Sequence, residues 1–248
     1  MKTLIKILIS VITLFFISNI THSQEGVSIR LKDGYTLSGT FHKGNKEKPS
    51  ILMLHQCNQD QNMWKPLVDI LSKNNYNILT VDMRGYGKSV SKDFDIDKHD
   101  YNDVTKHFKK DIEDINEFWL KKTESSKKYF VVGASCGGAQ TLKVAALNKN
   151  KNLIKGIILF SPSTREQWIE PEYLNQFKEM KQLPILAISS IEDTFAQAGI
   201  NAVYPYNESK FSQKIIYKGR MHGYPLFEFD PNLAAYMASW IQRILNLE

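Results

Sequence analysis

Six short apolar runs recur along this chain, each separated from the next by a stretch with helical patterning, and that alternation decides what the chain can fold into. The runs are "SILMLH" (50–55), "NILTVDM" (77–83), "YFVVGA" (129–134), "IKGIILFS" (154–161), "PILAISS" (184–190) and "KIIYKG" (214–219). They do not alternate apolar with polar residues. A strand that is apolar at successive positions needs cover on both faces, the condition of a parallel sheet between two helix layers. Helical patterns lie near 61–74, 102–122, 137–148, 194–203 and 231–246. Strands alternating with helices imply parallel pairing, and right-handed crossovers place helices on both faces. Ahead of them, "GVSIRLKDGYTLSGTFHKG" (26–44) reads as a hairpin about Asp33-Gly34, a favoured turn pair. The expected fold is a doubly wound, mostly parallel α/β sheet with an N-terminal antiparallel hairpin. No linker divides it, so residues 24–248 are expected to form one domain. The length of 248 residues and a hydrophobic share of 42% suit that size of core.

The first residues follow another logic. "MKTLIKILISVITLFFISNITHSQ" sets Lys2 and Lys6 before an apolar stretch, Ile7 to Ile17, and ends in small polar residues. This is the layout of a secretory signal peptide. The apolar stretch is shorter than the roughly 20 residues a membrane span takes. Residues 1–23 are therefore expected to be a signal peptide and the mature protein to be exported, periplasmic or secreted. An uncleaved membrane-surface anchor is the alternative. The net charge of +6 comes from dispersed lysines, and the runs "KHFKK" and "KKTESSKK" lack interleaved aromatic residues. Solvated helix faces account for them, and no nucleic-acid partner is expected.

The fifth element ends in the chemistry-bearing segment "VVGASCGGAQ". Gly133-Ala134-Ser135-Cys136-Gly137 fits G-x-S-x-G between a strand and a helix. In that motif the central residue sits on a sharp turn that lifts its side chain above the sheet, and the flanking glycines let strand and helix approach. Ser135 is the candidate nucleophile. A register centred on Cys136 would lose the first glycine. Neither a phosphate-binding G-x-x-x-x-G-K-[ST] nor a dinucleotide-binding G-x-G-x-x-G is present.

A serine needs a base to take its proton and an acid to orient that base. With this motif the partners follow in the order Ser, acid, His. One histidine follows Ser135, His222 in "KGRMHGYPLF", just after the last strand. The preceding strand runs into "SSIEDTFA", which offers Asp193, preferred, and Glu192. Asp82 ends a strand but precedes the serine, so its expected role is to fix its own loop, with Arg84 as a partner. His55 is expected to brace the loop after the third strand.

The oxyanion of the tetrahedral intermediate needs two backbone N–H donors, one after the nucleophile and one from that third-strand loop. These are Cys136 and, in "LHQCNQD", Cys57, with Gln56 as second choice. Cys136 thus enters through its N–H and not its side chain. The two loops must approach to share one oxygen, and an exported chain with two cysteines often pairs them. Cys57 and Cys136 are expected close together, as a disulfide or as two free thiols.

With these pieces in place, the chain resembles the α/β-hydrolase superfamily, in its dienelactone-hydrolase-like branch. The segments carrying the likeness are "LHQ", "VDMRGYGKS", "VVGASCGGA", "SSIEDTFA" and "YKGRMHG", in that order over residues 26–246. Dienelactone hydrolases themselves carry cysteine at the elbow, whereas this chain has Ser135, which turns the expectation from a lactone substrate toward a serine esterase. The resemblance implies hydrolysis of a carboxylic ester or related acyl bond of a small substrate, through an acyl-enzyme on Ser135. It implies no metal and no organic cofactor. An exported peptidase or amidase with the same three residues is the second reading, and a non-catalytic binding protein the third. Between the fourth and fifth helix-flanked strands, "PSTREQWIEPEYLNQFKEMKQL" allows one lid helix. Its Trp168, Tyr173 and Phe177 either line a substrate pocket or form the buried face of that helix.

Overall fold

The computed structural model describes residues 23–246 apart from 125 and 127. The segment read as a signal peptide lies, but for its last residue, outside the described residues. The first two strands, β1 (Ser23–Arg30) and β2 (Thr36–Lys43), form the expected hairpin. Gly34 takes φ 90° in its turn, and Asp33 Oδ1 accepts the Tyr35 N–H at 2.9 Å. The turn therefore uses both residues that signalled it: glycine for the positive φ, aspartate for the local acceptor.

Six further strands complete one sheet: β3 (Ser50–Leu54), β4 (Asn77–Val81), β5 (Tyr129–Ala134), β6 (Ile154–Phe160), β7 (Ile185–Ser190) and β8 (Gln213–Tyr217). The spatial order is β1-β2-β4-β3-β5-β6-β7-β8. β2 joins β4 antiparallel, and every pairing from β4 onward is parallel. β3 through β7 are buried almost throughout, as their unalternating composition requires. β8 departs from that reading. Its residues are half-buried and exposed in alternation, because it is the edge strand and is covered on one face.

The period of two along each strand sorts the core into two layers. Leu52, Leu54, Val131, Ile157 and Leu159 face one side, under α3 (Phe108–Lys122), α4 (Cys136–Leu147), α5 (Pro171–Lys178) and α6 (Thr194–Val203). Ile51, Met53, Phe130, Val132, Ile158 and Phe160 face the other, under α1 (Lys65–Lys73) and α8 (Leu233–Leu245). Each such fully buried side chain contributes roughly 1.5–3 kcal/mol relative to exposure. The predicted helix over 102–122 is broken into α2 (Tyr101–Thr105) and α3, and a short α7 (Pro225–Phe229) precedes α8.

α4 is buried from Cys136 to Ala146, around its whole circumference. Even Lys143 is enclosed: its Nζ meets Glu113 at 2.8 Å and Glu170 at 3.0 Å, over the Tyr173 ring. A buried cation is tolerated when paired and hydrogen-bonded in this way. The helix behind Ser135 is thereby held on all sides.

Candidate active site

The carboxyl ends of the parallel strands carry the candidate residues, as open α/β sheets dispose their sites. Ser135 follows the last residue of β5 and precedes α4, with φ 52° and ψ −114°. Positive φ on a serine is a strained turn, held here by its neighbours. The Ser135 N–H donates to Phe160 O at 3.0 Å, and Ser135 O accepts the N–H groups of Gly138 at 2.9 Å and Ser163 at 3.0 Å. The two flanking glycines are required by contact. A Cβ on Gly133 would stand 2.1 Å from Gly137 O, and one on Gly137 2.4 Å from Leu54 O.

Asp193 and His222 meet three residues beyond β7 and five beyond β8. Asp193 Oδ2 is 2.7 Å from His222 Nδ1. The carboxylate is buried, while the imidazole is one-third exposed. Asp193 also caps α6, its Oδ1 accepting the Ala196 N–H at 3.2 Å. Glu192 points elsewhere, 57% exposed, with Arg220 at 3.8 Å. The histidine loop is tied at two points. The Gly223 N–H donates to Ser161 Oγ, and the Tyr224 N–H donates to Gln56 Oε1, each at 2.9 Å. Ser161 directly follows β6, the neighbour of β5, so one tether anchors the His222 loop beside the Ser135 turn. Ser161 and the side-chain role of Gln56 escaped sequence reading. The signal available was position, since Ser161 ends the strand next to the elbow.

The loop after β3 brings Cys57 to Cys136. The two form a disulfide across 79 residues of sequence, with Cα atoms 5.9 Å apart. Of the two states the sequence left open, the bond is the one observed. His55 braces this loop, buried and neutral. Its Nε2 accepts the Met83 N–H at 2.9 Å, so Nδ1 carries the proton and donates to Gln56 O at 2.8 Å. Burial lowers its pKa, against the opposing pull of that Gln56 hydrogen bond. The Gln56 N–H is turned to Met63 Sδ at 3.3 Å, and Tyr86 Oη donates to Cys57 O at 2.6 Å. Burial holds the Tyr86 phenol far above its usual pKa, keeping it a donor.

Beside Cys57 opens a cleft of about 770 Å³, lined by Cys57, Asn58, Asp60, Tyr86, Val90, Ile96 and Tyr224 among others. It is close to the size of an ordinary small-molecule site. Trp168, Tyr173 and Phe177 do not line it. Trp168 and Phe177 are buried in the core layer over α4, and Tyr173 packs against that layer. Of the two readings of these aromatics, the buried one is realised: α5 is the one helix described in the lid, Phe177 is on its buried face with Tyr173 half-buried, and Trp168 is buried from the turn that precedes it. Asp82 fixes its own loop, as expected, but without Arg84 as a partner. It accepts from Gln61 N and Nε2, each at 2.8 Å, and from Lys88 N at 2.9 Å, and has no bond to Arg84. Arg84 instead inserts between Asp111 at 2.7 Å and Asp33 at 2.6 Å, stacked on Tyr35. Among the described residues, no group of three or more His, Cys, Asp or Glu is arranged to hold a metal ion, and no helix is long and apolar enough to cross a membrane.

Sheet order, elbow and the Ser, Asp, His sequence of strand ends define an α/β hydrolase. The model of the serine aminopeptidase S33 family matches residues 45–193, more than half of the chain, and the chain belongs to that family. The match takes in Ser135 and ends at Asp193. Solved structures agree on the fold. The Pyrococcus furiosus esterase Pf2001 superposes with a TM-score of 0.65 at 20% identity, over 90% of this chain and 93% of that one. A dienelactone hydrolase from Anabaena variabilis gives 0.62 at 17%, over 90% and 98%. An esterase from Exiguobacterium antarcticum gives 0.62 at 15%, over 88% and 100%. No curated protein sequence matches.

Proposed function

We propose that the chain is a serine hydrolase that cleaves a carboxylic ester of a small substrate through an acyl-enzyme on Ser135. The observation that carries this reading is the 2.7 Å contact of Asp193 with His222 Nδ1. It leaves Nε2 as the imidazole nitrogen for proton transfer. Ser135 Oγ attacks the carbonyl carbon as its proton passes to His222. The N–H groups of Cys57 and Cys136 receive the oxyanion, and the Gln56 N–H is spent on Met63. His222 then protonates the departing alkoxide, and the ester C–O bond breaks. Water, giving its proton to His222, attacks the acyl carbon. The acid leaves as Ser135 Oγ recovers its proton.

The cleft beside Cys57 is not lined by Ser135 or His222, so in this reading it takes the part of the substrate that extends past the oxyanion position, where Asn58 and Asp60 meet polar groups. Structural neighbours described as esterases favour ester over amide chemistry. The family's description as serine aminopeptidase favours a peptidase or amidase as second reading. We also propose that residues 1–23 act as a secretory leader, that residues 24–248 work as one domain, and that the mature protein acts in an exported compartment. The disulfide supports this, because such bonds persist in oxidising compartments. The deciding experiment is labelling with a fluorophosphonate probe, followed by a panel of nitrophenyl esters and aminoacyl nitroanilides. Labelling at Ser135 with esters turned over faster is expected. Faster anilide cleavage would select the peptidase, and an unlabelled, inactive protein would end the hydrolase reading.

A further inference from the structure

We propose that the Cys57–Cys136 disulfide is a positioning device for catalysis, setting the distance between the two backbone N–H groups that receive the oxyanion. The inference rests on the serine-hydrolase reading and goes beyond it, because it gives both sulfur atoms a role that the chemistry of acyl transfer does not require.

The Cys57 N–H shares its peptide plane with Gln56 C=O, and the two point in opposite directions. That carbonyl is anchored by two donors, His55 Nδ1 at 2.8 Å and Gln59 N at 3.0 Å. Tyr86 fixes the next carbonyl, at Cys57. These bonds set which way the Cys57 N–H points, and each of them ties the loop to itself or to the β4 side of the sheet. None of them reaches the elbow. The disulfide does, joining the loop to the first residue of α4, directly after Ser135. Orientation thus comes from the hydrogen bonds and separation from the covalent link. Two donors must lie about 2.7–3.1 Å from one developing oxyanion, so a small drift of one loop weakens the hole. Such a drift acts on the transition state and leaves ground-state binding nearly unchanged.

The test is native reduction with dithiothreitol. The reagent closes to its cyclic disulfide while two electrons and two protons pass to the sulfurs of Cys57 and Cys136. Nitrophenyl acetate kinetics, affinity for an alkyl boronic acid, thiol titration and circular dichroism are followed together. The oxidised protein is expected to titrate no free thiol. On reduction two thiols appear, kcat falls about 10-fold or more with KM within about 2-fold, and boronate affinity falls in step. Reoxidation restores all three. The Cys57→Ala/Cys136→Ala double variant reproduces the reduced state. Two thiols in the untreated protein would overturn the proposal, as would a reduced protein with unchanged kcat, or a loss of kcat that only follows loss of folded signal. If the variant does not fold, the reduced and reoxidised wild type still decides. An oxidised protein that neither hydrolyses the ester nor labels at Ser135 would instead overturn the hydrolase reading, and the clamp with it.

Discussion

Asp193 divides its carboxylate between a side chain and a helix: Oδ2 lies 2.7 Å from His222 Nδ1, and Oδ1 accepts the Ala196 N–H at 3.2 Å. The second contact offers a clean separation of catalysis from stability. Asparagine caps a helix about as well as aspartate. The Asp193→Asn variant should therefore unfold near the wild-type temperature while kcat falls by orders of magnitude, because the amide holds the imidazole in the wrong tautomer and cannot stabilise its cation. Asp193→Ala should add a capping loss of about 1 kcal/mol. Glu192→Gln, at an exposed site, should change kcat by less than about 2-fold. Steady-state kinetics and thermal melts on the three variants check this. A reversed ranking of Asp193 and Glu192 would move the acid.

The Ser135 backbone makes a second separation. At φ 52° and ψ −114° it occupies a conformation costing of the order of 1–3 kcal/mol for a residue with a Cβ. Ser135→Ala keeps that strain and removes the hydroxyl, so activity should vanish with stability unchanged. Ser135→Gly should also be inactive yet gain up to about 2 kcal/mol, after allowing about 1 kcal/mol for glycine's greater freedom when unfolded. Denaturant melts of the pair measure the difference. Equal stabilities would put the strain at only about 1 kcal/mol, and a glycine variant about 1 kcal/mol less stable than the alanine one would show that the turn carries none.

The tethers of the histidine loop can be cut one at a time. Ser161→Ala leaves the buried Gly223 N–H without an acceptor, at a cost of about 1–3 kcal/mol. It also frees the loop beside the elbow. The expected result is a fall in kcat of about 10-fold to 100-fold with little change in KM, since a displaced base fails in the reacting geometry and not in binding. Gln56→Leu should act in the same direction through Tyr224. A rise in KM at constant kcat in both variants would assign these residues to substrate contact instead.

What could be read in the sequence and what could not divide along physical lines. The sheet was legible because a strand buried on both faces has no freedom to alternate, and β3 through β7 obey that rule. The elbow was legible because only glycine fits at Gly133 and Gly137. The proximity of the two cysteines followed from requiring two loops to serve one oxygen, while the bond between them was left open. Side-chain destinations across loops were not legible. Arg84 turns from its near neighbour Asp82 to Asp111 and to Asp33, 51 residues upstream in the hairpin turn, a choice made by the packing of α3 against the hairpin. The lid aromatics were ambiguous because helical period says which residues share a face, not which way that face looks. Trp168 and Phe177 look into the core.

The last expectation concerns acid. His55 is buried beside the cysteine loop with Nε2 accepting the Met83 N–H. Protonation would set a second donor against that donor, and burial already holds its folded-state pKa below the ordinary value of about 6.5. Above that pH both folded and unfolded chains keep the imidazole neutral, and His55 adds no slope. Below it the unfolded chain takes up the proton first, so stability falls as pH drops toward the folded-state value. Burial also lowers His42 and His107, which act in the same direction. The difference between wild type and His55→Gln isolates the one residue, because glutamine can still accept the Met83 N–H without titrating. Melting temperature between pH 7.5 and 5.5 should fall less steeply in the variant, a window chosen on the histidine reference value and above the usual carboxylate range. Parallel curves would show that His55 titrates alike in the folded and unfolded states, and its bracing of the Cys57 loop would then carry no acid sensitivity.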